Sequence, residues 1–126
     1  MTTDIRQEPP LVSILRWGTY LIASIHMALD DDQLIRFQRD LVQQVGRDGT
    51  HGVIIDLAAI DVLDSFAAKA LENLARSAGL RGATTVIVGI HPDVASAMVR
   101  LGLHADIAFA AIDLDDGIAL LDDLVQ

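Results

Sequence analysis

Val53-Ile-Ile-Asp-Leu57 runs into Asp61-Val-Leu-Asp-Ser-Phe-Ala-Ala-Lys69, and this passage decides the fold class. The first run is short and β-branched, the composition of a strand buried in the centre of a sheet. After Asp64-Ser65 the pattern changes to a helical period, with Phe66, Ala70, Leu74 and Ala78 expected to face inward and Gly79 to end the helix. A buried strand feeding a helix is the repeating unit of α/β proteins.

Working outward, the same alternation continues on both sides. Upstream, Asp30 to Asp32 open a helix whose inner face is Leu34, Phe37, Leu41 and Val45, widened by Ile35 and Val42, with Gly46 and Gly49 near its end. Before it, residues 11–17 and 20–25 are strand-like runs separated by Gly18-Thr19, the pattern of an antiparallel hairpin. Downstream, residues 84–88 read as a second buried strand. Pro92 opens a third helix with Val94, Met98 and Leu101 on its face, and Gly102 lies beyond. Residues 107–110 read as a last short strand. Asp113 to Asp116 cap a final helix carrying Ile118, Leu121 and Val125. The order is ββαβαβαβα, which predicts a mostly parallel sheet with an antiparallel N-terminal edge hairpin, right-handed crossovers and about four helices. Residues 1–10 read as a flexible N-terminal tail because Pro9-Pro10 blocks regular hydrogen bonding, and residues 11–126 as a single domain.

Composition narrows the chemistry. The chain has 126 residues, 52% of them apolar, enough for one core and too many for disorder. Its longest apolar run is six residues, 107–112, so no membrane span is expected, and the N-terminus lacks the layout of a secretory signal. Without cysteine there is no disulfide, thiolate nucleophile or zinc-thiolate site. A cytoplasmic protein is the simplest reading. Nine basic against 18 acidic residues leave a charge of −9, which disfavours nucleic acid and anionic membrane and favours a partner with a basic face.

Few residues could carry catalysis. The four histidines are scattered, and His91-Pro-Asp93 reads as a helix-entry turn rather than a ligand pair. The glycines form neither a dinucleotide fingerprint nor a P-loop, and no serine has a nucleophile-elbow setting. Asp30-Asp31-Asp32 lacks the spacing of a calcium loop. No cofactor, metal or enzymatic activity is expected, and a small ligand-binding α/β domain would need a polar pocket that no residues build. The turn around Asp61 and Ser65 remains. In one reading Asp64 or Ser65 merely caps the helix while Phe66 packs it. In the other, Ser65 presents its hydroxyl at the helix entrance and accepts a phosphoryl group. The helix amides would tolerate a phosphate there, while Asp61 and Asp64 would repel it.

Ile60-Asp-Val-Leu-Asp-Ser-Phe-Ala-Ala-Lys69 resembles the phosphoacceptor loop of the STAS-domain family. Val12-Ser-Ile-Leu-Arg-Trp-Gly-Thr-Tyr-Leu-Ile-Ala-Ser-Ile25, Gly52-Val-Ile-Ile-Asp-Leu57 and Gly89-Ile-His-Pro92 resemble single-domain stressosome scaffolds of the RsbS type within that family. The resemblance spans about residues 11–125. It implies a STAS fold and a non-catalytic scaffold that holds an RsbT-type serine/threonine switch kinase, is phosphorylated on Ser65 and then releases it. It further implies an RsbR-type STAS co-scaffold, a PP2C-type phosphatase that resets the scaffold, and self-association. Asp61, Asp64 and Phe66 are the partner-binding residues expected around Ser65. The alternative within the fold is an anti-anti-sigma factor that binds an anti-sigma factor kinase.

Overall fold

A computed structural model describes residues 10–103 and 108–125. The expectation for the N-terminal segment therefore falls almost wholly outside the described residues. The elements are β1 Val12–Trp17, β2 Tyr20–Ile25, α1 Asp31–Asp48, β3 Gly52–Asp56, α2 Ser65–Leu80, β4 Thr84–Val88, α3 Pro92–Arg100, β5 Phe109–Ala111 and α4 Leu114–Val125. The strands lie in the sheet in the order β1-β2-β3-β4-β5. β1 and β2 pair antiparallel across the Gly18 turn, whose φ of 62° suits glycine, and the other pairs are parallel. The fold class is that of the sequence pattern.

Side chains alternate across the sheet, so β2, β3 and β4 each serve two cores. Leu21, Ala23, Val53, Ile55 and Ile87 join Phe37, Leu41, Leu71, Leu74 and Val94 of α1, α2 and α3 in the larger one. Tyr20, Ile22, Ile54, Val86 and Val88 join Leu121 of α4 in the smaller one. The chain thus packs three helices on one face and returns α4 across the other. Gly117 makes that return possible: a Cβ there would stand 2.8 Å from Val88 Cγ1.

Several local expectations shift. Phe66 is 40% exposed rather than inward. The buried stripe of α2 centres on Ala68, Leu71, Ala75 and Ala78, and Phe66 stands about 140° around the helix from Leu71. Ile35 is likewise exposed, one residue off the Leu34 stripe, and Leu101 lies half-exposed at the C-cap of α3. α1 runs through Gly46 and stops at Gly49, whose φ is 63°. α2 passes Gly79 by one residue before Arg81 caps it. The last strand begins at Phe109; Ile107 lies outside the described residues.

Candidate functional site

The loop from β3 to α2, residues 57–64, emerges at the C-terminal end of the parallel strands, where α/β sheets place their functional turns. It is held at several points. Leu57 N donates to Val88 O at 3.0 Å, extending the β3–β4 pairing by one residue. Ala58 N donates to Asp56 Oδ1 at 2.9 Å, and Ile60 N to Leu57 O at 2.9 Å, closing two consecutive turns. His91, the residue before α3, places Nε2 2.6 Å from Ala58 O. A carbonyl only accepts, so the imidazole carries its proton on Nε2 and donates it. Ile60 and Leu63 bury their side chains and leave Asp61 and Val62 outside.

The loop ends at a defined helix cap. Asp64 is extended, with φ −90° and ψ 175°, and its Oδ1 accepts from Ala67 N at 2.8 Å. Capping therefore falls to Asp64 and not to Ser65. Ser65 is the first helical residue, and its side chain is exposed. One turn on, Lys69 Nζ donates to Glu72 Oε1 at 3.0 Å, and Arg76 approaches the other carboxylate oxygen at 3.4 Å. The Lys69 hydrogen bond, aided by the Lys69 charge and then by Arg76, holds the Glu72 carboxyl below its ordinary range against the opposing effect of burial. Lys69 is thus committed down the helix, away from Ser65.

The structure gathers Asp61, Asp64, Ser65 and Phe66 into one exposed stretch. It adds Val62, 74% exposed, which hydropathy alone would have buried. The tie from His91 was not legible as a contact, although Gly89-Ile-His-Pro92 marked the turn that makes it: Gly89 has φ 72°, and a Cβ there would meet Ala58 N at 3.0 Å. Among the described residues no group of histidines and carboxylates could hold a metal ion, and no helix is long and apolar enough to cross a membrane.

Comparison with known proteins identifies the domain that carries this loop. The family described as STAS domain matches residues 13–115. The chain is a STAS-domain protein. Its fold superimposes on a structure of Moorella thermoacetica RsbS, in a serine-to-glutamate form, with a TM-score of 0.81 at 31% identity, covering 90% of this chain and 96% of that one. A STAS chain from a structure of the stressosome, described as a signal integration and transduction hub, gives 0.75 at 27% identity, covering 90% and 99%. In sequence, the RsbT co-antagonist protein RsbRA of Bacillus subtilis is 26% identical over 90 residues, 71% of this chain and 33% of that protein. The matches span between a third and a half of the curated relatives' length. This STAS domain therefore has the fold of stressosome scaffolds and anti-sigma factor antagonists.

Proposed function

We propose that this STAS domain is a non-catalytic, phosphorylation-controlled scaffold of a cytoplasmic, stressosome-type complex. It captures an RsbT-type serine/threonine switch kinase and releases it when Ser65 is phosphorylated. An RsbR-type STAS protein is its co-scaffold in a self-associating assembly, and a PP2C-type phosphatase resets it. The observation that carries the reading is the position of Ser65: exposed, first in α2, with the capping role already taken by Asp64. In the transfer the Ser65 oxygen bonds to the γ-phosphorus of the kinase's ATP, ADP leaves, and the hydroxyl proton passes to a base of the kinase. ATP belongs to the kinase, and this chain needs no cofactor.

The switch follows from charge. A phosphate adds about −1.5 to −2 at neutral pH beside carboxylates that already make the surface negative. The amide end of α2 stabilises it locally, so the fold is kept while the bulky, strongly hydrated phosphate breaks the close packing of a docked partner. Asp61, Asp64 and Phe66 form the contact surface. The test combines the purified chain with the RsbT-type kinase of the same genome and ATP. Mass spectrometry should place the phosphate on Ser65, and a pull-down should lose the kinase in step. Ser65→Ala should retain the kinase without release. Phosphate solely at another residue, or full retention after complete modification of Ser65, contradicts the proposal. An assembly of tens of subunits with the co-scaffold separates this role from that of an anti-anti-sigma factor, which would form a small complex.

A further inference from the structure

Beside Asp64 an apolar cleft of about 140 Å³ opens between the starts of α1 and α2. Its floor is Ile25, Leu34, Leu57 and Leu71, and Ala28, Val62 and Asp64 stand at its mouth. We infer that this cleft seats one large apolar side chain of the kinase, a leucine or phenylalanine carried beside basic residues. The inference rests on the reading of Ser65 given above and names how the same site holds its partner.

Three observations select that occupant. The first is size: an apolar cavity of roughly 150 Å³ stays dry and takes a benzene-sized group, so the cleft admits one side chain and no peptide segment. The second is charge. The caps of both helices are carboxylates, Asp30 and Asp64, Asp31 and Asp32 lie exposed in the first turn of α1, and Asp61 lies exposed on the loop before α2. An acidic surround of this kind opposes a fatty acid or any other anion and favours an apolar group flanked by arginine or lysine. The third is the apolar side chain left in water at its edge, Val62 at 74% exposure. A partner seated in the cleft would cover it, as the rim around a buried anchor does. The site also explains release. Ser65 follows Asp64 directly, so a phosphate there sets new charge beside the mouth of an apolar pocket that only a desolvated contact can use.

The experiment fills the cleft from its exposed edge. Ala28 is exposed, so Ala28→Phe adds a ring at the mouth without removing core packing. It should weaken capture of the RsbT-type kinase by about tenfold or more, as loss of a central anchor does, with the thermal midpoint unchanged. A second measurement uses the unsubstituted chain. Toluene should shift the methyl resonances of Leu34, Leu63 and Leu71 and weaken kinase capture in parallel. Equal capture by a folded Ala28→Phe, or toluene that shifts those methyls while capture is untouched, overturns the anchor and leaves the scaffold reading standing. Absence of capture by the unsubstituted chain overturns both.

Discussion

Asp64 and Ser65 divide two tasks that the sequence left undivided. Both residue types cap helices, and only the extended backbone at Asp64 assigns the cap to it. Asp64→Ala should cost about 1 kcal/mol of stability, read as a lower denaturant midpoint, while Ser65→Ala should leave the midpoint nearly unchanged. Thr85 presents the opposite situation. It is 2% exposed, and its Oγ1 has no hydrogen-bond partner among the described residues. Thr85→Val should therefore stabilise the fold by about 1 kcal/mol in thermal or denaturant unfolding. Tyr20 supplies a pH signature. Its hydroxyl donates to Asp122 Oδ1 at 2.6 Å, and this bond, with burial and the aspartate's charge, lifts the phenol from 10 to about 12. Above pH 10 the unfolded chain loses that proton while the folded chain keeps it, so unfolding releases a proton. The contribution is complete below pH 10 and is lost as pH rises towards 12. Titrating Tyr20→Phe beside the parent chain should show a gap of about 1–2 kcal/mol that closes over this window.

At the scale of elements, the glycines of α2 and α4 behave oppositely because of what lies beside them. Gly79 has open space around its missing Cβ, whereas Gly117 would drive one to 2.8 Å from Val88 Cγ1. Gly79→Ala should stabilise α2 by about 0.4–1 kcal/mol. Gly117→Ala should lose more than its gain in helix propensity, a net cost of about 1–2 kcal/mol as α4 is pushed off the sheet. Chemical unfolding of the two variants side by side checks the contrast. Strands and helices were legible because β-branched runs and three-four spacings survive any tertiary arrangement. Helix phase was less so: Phe66 and Ile35 are large and apolar, and counting them towards the buried stripe rotated it away from Ala68 and Ala75. Small residues carry weak hydropathy, yet only they let α2 approach the sheet closely. The loop from β3 to α2 was legible as a motif. Its tie through His91 was not, because a contact between residues 33 apart leaves no local pattern.

Across the whole molecule, each strand pairs with the one before it in the chain, so the larger core grows by addition from β1 onwards. The smaller core is built otherwise. Its floor is laid by Tyr20, Ile22, Ile54 and Val86, but its roof is α4, the last described element. On the ribosome this order matters. A nascent chain that has emerged as far as β4 can shelter one side of its sheet with α1 and α2, while the other side stays greasy until α4 leaves the exit tunnel. Chains halted at residue 111 should therefore light up a hydrophobic dye and clump, and chains extended through residue 125 should not. The bond from Tyr20 to Asp122, spanning 102 residues, is then the latch that closes only once α4 has emerged.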